Sequence, residues 1–283
     1  MKTENKYQLH PIEKDVICFY HANSIMNGME GAVPYHRHDA YEIYLFLEGN
    51  TDFYLERNCY RLRRGDMVLV APSQLHRSVC LSEDTYRRYG INIKPFLVDK
   101  LSSVNTDLKH CFSVNPEKAH LAHLTEGEIE QFIVMFDSLQ QALDNTGYGQ
   151  DILISAETAK LLVFVNRVFG SCGWKPENIM PSLISDVMAY IEEHLTEDIT
   201  LSRLSQDFYL SHDYISRQFK SATGLSIRSY LLDKKICRAK ACLLEGKSVT
   251  QACMESGFSD YANFIRSFTK HVGVSPGKYK KLM

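Results

Sequence analysis

A pattern that occurs twice in the last hundred residues most constrains how this chain folds. SRQF at 216–219 is echoed by IRSF at 265–268, and each closes a short stretch whose apolar residues lie four apart. Four-residue spacing places such side chains on one face of a helix. A second short amphipathic stretch precedes each copy. The sequence therefore predicts two pairs of short helices, each joined by a tight turn.

The first pair spans about 200–221. Thr200 is predicted to cap its first helix and Ser211 its second, because a serine or threonine hydroxyl accepts a hydrogen bond from a free backbone N–H at a helix start. Ile215 and Phe219 point inward in the second helix. Two short helices in this arrangement form a helix-turn-helix unit.

The second pair spans about 248–271. Ser248 and Gln251 match the S-x-x-Q capping box, and Gly257 suits the tight turn. Ser259 is predicted to cap the second helix, in which two phenylalanines repeat the inward roles of Ile215 and Phe219.

The segment between the two pairs is predicted to be a rod. SIRSYLLDKKICRAKACLLEG contains no proline and no internal glycine. Eighteen of its residues in one helix would span roughly 27 Å. Two helices held apart in this way fit successive major-groove faces on one side of a duplex, which lie about 34 Å apart. A further helix, DVMAYIEEHL at 186–195, precedes the first pair.

Charge is divided unevenly along the chain. Residues 1–180 hold 18 Lys and Arg against 23 Asp and Glu, a difference of −5, whereas residues 200–283 hold 14 against 6, a difference of +8. The positive C-terminal part indicates an anionic partner. The alternative is a solvated basic surface with no partner.

These features resemble one known family. The run from about 183 to 282 is similar to the DNA-binding domain of the AraC-type transcription regulators, which has two helix-turn-helix units joined by a long helix. The positions that carry the resemblance are Gly257, Phe258, Phe264, Phe268, Lys270, Gly273, Ser275, Pro276 and Tyr279. Thr269 departs from the family pattern beside Lys270, which the resemblance makes a phosphate contact.

The outward faces of the two second helices supply candidate DNA contacts. They are His212, Asp213, Ser216, Arg217 and Lys220 in the first unit, and Tyr261, Ala262, Ile265 and Arg266 in the second. Arg217 and Arg266 are the strongest, because a guanidinium can bond O6 and N7 of guanine together; a surface salt bridge is the alternative for each. Lys220 is expected at a phosphate, and Asp213 is either a base contact or an early-helix charge.

The N-terminal part is predicted to be a β domain. Residues 16–94 are rich in Tyr, Val, Ile and Phe, with turn signals at 48–50 and 63–66. Two helices follow, one from 126 and one at 150–169, and GSCGWKPENIMP at 170–181 has the composition of a linker.

Composition also limits where the protein acts. The first twenty residues have no apolar signal region, and the longest apolar run, LLVFV at 161–165, is too short to cross a bilayer. The cytoplasm is expected, with no membrane partner. Eight cysteines without a C-x-x-C pair indicate reduced packing thiols.

Three histidines and a carboxylate are predicted to share one site. If residues 36–42 form a strand, His36, His38 and Glu42 lie on one face, and Tyr44 shares it. His76 follows an apolar strand and a proline-containing bend. His36, His38, Glu42 and His76 could bind a divalent transition metal with open positions for a ligand. Alternatively, the histidines bond an effector or each other's neighbours.

This stretch resembles the cupin motifs. The matching positions are Gly31, His36, His38, Glu42, Gly49, Gly65, Pro72 and His76. The resemblance implies a β-barrel of the double-stranded β-helix type, and this half is also similar to the sensor domains of AraC-type regulators. It makes His36, His38, Glu42, Tyr44 and His76 the expected effector-binding residues.

The sequence thus predicts a multidomain protein. A cupin-like sensor spans 1–100, a helical linker and dimerisation region spans 101–177, and an all-α DNA-binding domain spans 181–283. We expect a non-enzymatic regulator that binds double-stranded DNA and a small molecule. Sugar, oligosaccharide, aromatic acid and peptide all fit a barrel lined by Tyr and His, and the resemblance weakly favours sugars. The effector would act through the N-terminal arm or the helices at 126–169.

The resemblance also implies partners. It implies a homodimer, and RNA polymerase if the protein is an activator. The helix at 150–169 is the expected dimer contact because its apolar run LLVFV looks exposed; the alternative is that one globular core buries this run. A metal-dependent cupin enzyme with a DNA-binding tail and an architectural DNA binder without an effector are the alternatives.

Overall fold

A computed structural model describes residues 15–23, 35–82, 85–113, 120–171 and 176–282. The chain divides into two compact units, the first built mainly from Arg37–Ile179 and the second mainly from Met180–Met283. Gly31, Cys172 and the N-terminal arm lie outside the described residues. The predicted class, a sheet-rich N-terminal domain followed by an all-helical one, is confirmed.

The described part of the first unit contains eight strands in two antiparallel sheets. They are β1 (Val16–Asn23), β2 (Tyr41–Glu48), β3 (Thr51–Leu55), β4 (Asn58–Arg61), β5 (Asp66–Val70), β6 (His76–Cys80), β7 (Tyr86–Ile93) and β8 (Leu121–His123). The larger sheet has the order β1-β7-β2-β5-β8 and the smaller one the order β4-β3-β6.

The larger sheet is buried on both faces. Along β2, Ile43 and Leu45 join a core that includes the following helices, whereas Tyr44 and Phe46 join a second core with Phe53 of the smaller sheet. A strand covered on both sides must be apolar at both parities. The nearly continuous apolar runs YLFL in β2 and MVLV in β5 have this origin.

Helices cover the outer face of the larger sheet. They are α1 (Pro95–Leu101), a 3₁₀ turn (His110–Phe112), α2 (Glu126–Asp144) and α3 (Gln150–Ser171). Of the two alternatives for LLVFV in α3, exposure or burial in one globular core, the structure shows burial. Leu161, Leu162 and Val165 are completely buried in the core of their own unit, because this face of α3 packs against α2 and the sheet.

Part of the predicted linker is attached to the smaller sheet. The backbone N–H of Cys59 donates to Asn178 Oδ1 over 2.9 Å, and the N–H of Ile179 donates to the carbonyl of Cys59 over 2.8 Å. Cys59 lies in β4, an edge strand whose outer backbone groups have no strand partner among the described residues. Residues 178 and 179 occupy that edge, which satisfies its polar groups.

The second unit is helical throughout its described residues. Its helices are α4 (Ser182–Glu193), α5 (Leu201–Asp207), α6 (His212–Thr223), α7 (Ile227–Leu244), α8 (Val249–Glu255), α9 (Tyr261–Val272) and α10 (Pro276–Leu282). The caps at Thr200 and Ser211 and the capping box of Ser248 with Gln251 are confirmed. The rod is confirmed as α7, which has 18 residues.

The cap predicted at Ser259 was wrong. The side chain of Asp260 caps α9 by accepting a hydrogen bond from the backbone N–H of Asn263. The turn before α9 has five residues, 256–260, whereas the turn before α6 has four, 208–211. The extra residue moves the cap from the serine to the following aspartate.

The apolar sides of α6 and α9 face inward as predicted. Ile215, Phe219, Phe264 and Phe268 are completely buried, and the two α9 phenylalanines pack with residues of α7, α8 and α10. No helix within the described ranges is long and apolar enough to cross a membrane. Seven of the eight cysteines lie in these ranges, and all seven are free thiols.

Candidate functional site

The exposed face of α6 carries most of the DNA contacts predicted in the first unit. His212, Asp213, Arg217 and Lys220 are exposed, while Ser216 is half-buried. The side chain of Ser211 caps the helix. The buried pair Ile215 and Phe219 fixes which side of the helix faces the solvent. The exposed side chains therefore form one stripe with defined orientation.

The exposed face of α9 is arranged in the same way. Tyr261, Ala262, Arg266 and Lys270 are exposed. Ile265 departs from the predicted outward face, because it is half-buried and packs against the core of the second unit. Its apolar side chain gains more from that packing than from water.

Arg217 and Arg266 differ from the surface arginines that form ion pairs. Arg203 is held by Glu197 over 2.7 Å. Arg217 Nε donates to the backbone carbonyl of Asp213 over 3.3 Å, and neither Arg217 nor Arg266 forms an ion pair within the described part of the chain. The alternative of a surface salt bridge is therefore not realised among these residues, and both guanidinium groups face solvent.

Sequence reasoning did not name other exposed polar residues on these helices, among them Tyr214, Gln218 and Asn263. Tyr214 and Asn263 each precede an inward residue, Ile215 and Phe264, by one position. The helical period could have identified both residues, because a residue next to the buried side of a helix still lies at the edge of its exposed side.

The polar site in the first unit centres on Glu42. Its Oε2 lies 2.8 Å from Nε2 of His38 and 3.1 Å from Nε2 of His76, and all three residues are buried. The predicted reason was wrong, because β2 begins at Tyr41 and residues 39–40 form a bend. The bend, rather than strand alternation, brings His38 to Glu42.

Backbone carbonyls fix the ring orientation of both histidines. His38 Nδ1 lies 3.1 Å from the carbonyl of Ala40, and His76 Nδ1 lies 3.0 Å from that of Gln74. A carbonyl can only accept, so each Nδ1 carries the hydrogen. Each Nε2 is therefore the atom that faces Glu42.

The charges in this cluster support one another. Burial alone would lower the pKa of His38, but the hydrogen bond and the charge of Glu42 outweigh burial and raise it. Burial alone would raise the pKa of Glu42, but the hydrogen bonds from His38 and His76 and their charges hold it well below its usual value. The carboxylate is therefore ionised beside a histidine that favours its charged form.

The same donors fit a divalent transition metal. Nε2 of His38 and Nε2 of His76 both face Oε2 of Glu42, at 2.8 and 3.1 Å, whereas His36, the third histidine of the predicted set, is grouped with the second unit. A histidine that binds a metal commonly donates its other N–H to a carbonyl, as His38 and His76 do here. A cation among the Nε2 atoms would replace the proton that the His38–Glu42 contact otherwise requires.

Tyr44 lies inside the barrel, as predicted. Its hydroxyl is 2.6 Å from the hydroxyl of Tyr86, and its ring packs against Phe53 with centroids 4.8 Å apart. Tyr41 has the opposite parity and packs on Phe112 on the outer face of the sheet. The register of β2 thus places Tyr44 on the inner face of the sheet and Tyr41 on the outer face.

Sequence reasoning missed the inward residues of β7. Tyr86, Arg88 and Asn92 alternate along YRRYGINI and share the face of Glu42 and Tyr44. The alternation was visible in the sequence, but no turn or motif marked which parity is inward.

Two family models match the chain. An AraC-like ligand binding domain matches residues 27–162, and a helix-turn-helix domain matches residues 204–282. Together they include both regions described above.

Full-length relatives carry regulator names. The HTH-type transcriptional regulator YfiF of Bacillus subtilis is 25% identical over 285 residues, covering 98% of this chain and 88% of the relative. The probable transcriptional regulator LumQ of Photobacterium leiognathi is 26% identical over 254 residues, covering 89% and 94%. The chain spans only 33% of a 24% identical Staphylococcus aureus regulator.

Among solved structures, the C-terminal domain of the response regulator yesN of Fusobacterium nucleatum is 31% identical, with a TM-score of 0.34. That comparison covers 35% of this chain and 99% of the other.

Proposed function

The chain belongs to the AraC-type transcriptional regulators, and from this premise we propose how it reads DNA and what controls it. Both helix-turn-helix units bind one operator, α6 in one major-groove face and α9 in the next. A small molecule in the N-terminal barrel changes the affinity for that operator.

One observation carries the proposal, namely the pair of exposed polar helix faces that share α7 as a rod. Both α6 and α9 contact α7, and its 18 residues give it a length of about 27 Å. Arg217 and Arg266 project from these faces without an ion-pair partner among the described residues. They are proposed to contact guanine, and Lys220 and Lys270 to contact phosphates.

In this proposal the protein is not an enzyme. A metal-dependent cupin enzyme would need a free acid or base near the metal. Glu42 is the candidate, and its Oε2 already lies close to both His38 and His76. If a metal binds, His38 and His76 would hold it beside Glu42, and it would supply a Lewis-acid contact for an effector.

Assembly and location complete the proposal. We place the protein in the cytoplasm as a homodimer, which contacts RNA polymerase if it activates. Exposed apolar residues on α2 and α3, Val134, Ile152 and Leu153, support a contact through these helices. A monomer that does not change with concentration in sedimentation would remove the dimer.

Substituting each arginine tests the reading of DNA. The full chain should select, from random duplexes, a motif of two short blocks about one helical turn apart. Arg217→Ala and Arg266→Ala should each relax one position in one block and weaken binding by about 1–3 kcal/mol there, because the bidentate contact to guanine is lost. Sequencing of the bound duplexes measures this.

Arg238→Ala is the matched control. Arg238 is exposed on α7 and lies on neither α6 nor α9, so its loss removes the same charge. Its motif should be unchanged, with only a lower affinity that depends on salt. If all three variants select the same motif as the wild type, the two arginines do not read bases.

A further inference from the structure

We propose that the effector is an organic acid whose carboxylate binds Arg88 inside the N-terminal barrel. This inference rests on the proposed function, since it names the ligand class of the sensor site. It also differs from the sugar that the family resemblance favoured.

The register of β7 places Arg88 on the inner face of the larger sheet. Arg88 is opposite Phe46 of β2, and Gly90, two residues further along, is opposite Tyr44. Its neighbour Arg87 has the other parity and is exposed, with hydrogen bonds to Tyr20 and Glu48. Two adjacent arginines thus have different surroundings.

Aromatic rings surround the Arg88 guanidinium. Its Cζ lies 5.1 Å from the ring centroid of Phe19, 5.1 Å from that of Tyr44 and 5.7 Å from that of Tyr86. Rings stabilise a cation through their faces but accept no strong hydrogen bond in the guanidinium plane. The three rings therefore position the charge without supplying an anion, and the Tyr44 hydroxyl is a hydrogen-bond partner of Arg88.

At least one donor of the Arg88 guanidinium is unused. Arg88 Nε is buried and has no hydrogen-bond partner among the described residues, and the same is true of Asn92 Oδ1 on the same face. Glu42, the acidic residue on this face of β2, is already close to both His38 and His76. A buried guanidinium donor without a hydrogen-bond partner is costly, and a guanidinium matches a carboxylate geometrically.

The rest of the interior indicates what the acid carries. The core between the sheets includes Phe46, Phe53, Leu55, Val68 and Val70, all nearly or completely buried. A sugar would require several polar partners for its hydroxyls, whereas the hydroxyls of Tyr44 and Tyr86 are already hydrogen-bonded to each other. A carboxylic acid with a compact apolar body matches the positive charge of Arg88 and the apolar character of this core.

Paired ligands test the inference. Probes are 3-phenylpropanoate with 3-phenylpropanamide, hexanoate with hexanamide, and arabinose and glucose as neutral sugars. At least one acid should raise the Tm of the full-length wild type and bind in calorimetry, while its amide and the sugars should not. Arg88→Gln should weaken acid binding at least tenfold, and Arg87→Gln should bind as the wild type does.

A stability measurement separates a binding role from a structural one. Without ligand, Arg88→Gln should leave the Tm about unchanged, because losing the burial cost of the charge offsets losing its attraction to Glu42. A clear fall in Tm would assign Arg88 to the fold and overturn the inference. Equal acid binding by Arg88→Gln, equal binding of amides or sugars, or no response to any acid would also overturn it.

An outcome that overturns the ligand class can be distinguished from an outcome that overturns the proposed function. The selection of duplexes is made without ligand. A two-block motif combined with acid binding that does not depend on Arg88 overturns only the ligand class, whereas the absence of any motif overturns the regulator itself.

Discussion

Replacing Gly257 by alanine is expected to destabilise the second unit by about 3 kcal/mol. Gly257 has φ of +79° in the turn before α9, and a Cβ there would lie 2.2 Å from the carbonyl oxygen of Leu195 and 2.8 Å from Cα of Thr196. The left-handed backbone costs an L-residue about 1–2 kcal/mol, and overpacking adds about 1–3 kcal/mol. Since the atoms it meets are backbone, the helix pair itself must shift. Urea unfolding of the full chain, followed by far-UV circular dichroism, measures the loss.

Gly246→Ala is the control. Gly246 has φ of +85°, but nothing lies within 4 Å of the added Cβ. Only the left-handed conformation is penalised, so the cost should be about 1 kcal/mol. An equal loss for both variants would mean that the close approach to Leu195 does not exist.

Glu42→Gln should destabilise the first unit by about 3–5 kcal/mol, measured in chelator-treated protein. Glu42 is buried and lies 2.8 Å from His38 Nε2 and 3.1 Å from His76 Nε2. Removing one partner from a buried charge cluster leaves the others without compensation. The chelator ensures that the loss reports on the cluster and not on a bound metal.

The control for this change lies on the same strand. Glu48 is at the exposed end of β2 and pairs with Arg87 over 3.3 Å. Glu48→Gln should cost less than about 0.5 kcal/mol, as exposed ion pairs do. If Glu42→Gln is no more costly than Glu48→Gln without metal, the cluster does not hold the barrel together.

The helical unit was largely predictable because its signals are local. A cap, a buried pair four residues apart and a segment without proline or glycine each lie within one turn or one helix. The misplaced cap shows the limit of this reasoning. Ser259 and Asp260 are both good caps, and the length of the turn decides between them.

The barrel was less predictable because its geometry depends on distant pairing. The sequence placed His38 near Glu42 but through a strand that the structure replaces with a bend. Arg88 was missed, since its inward direction follows from pairing β7 with β2. The burial of LLVFV likewise depends on the sheet and on α2, which are far away in sequence.

Separating the two blocks of the selected duplex tests the central claim most directly, namely that α7 holds two DNA-reading helices at one fixed distance. Insertion of about five base pairs between the blocks turns one block to the opposite side of the helix. We expect the affinity of the full chain to fall to that for a duplex with a single block. An affinity unchanged by the insertion would contradict the claim, because the two units would then read DNA independently.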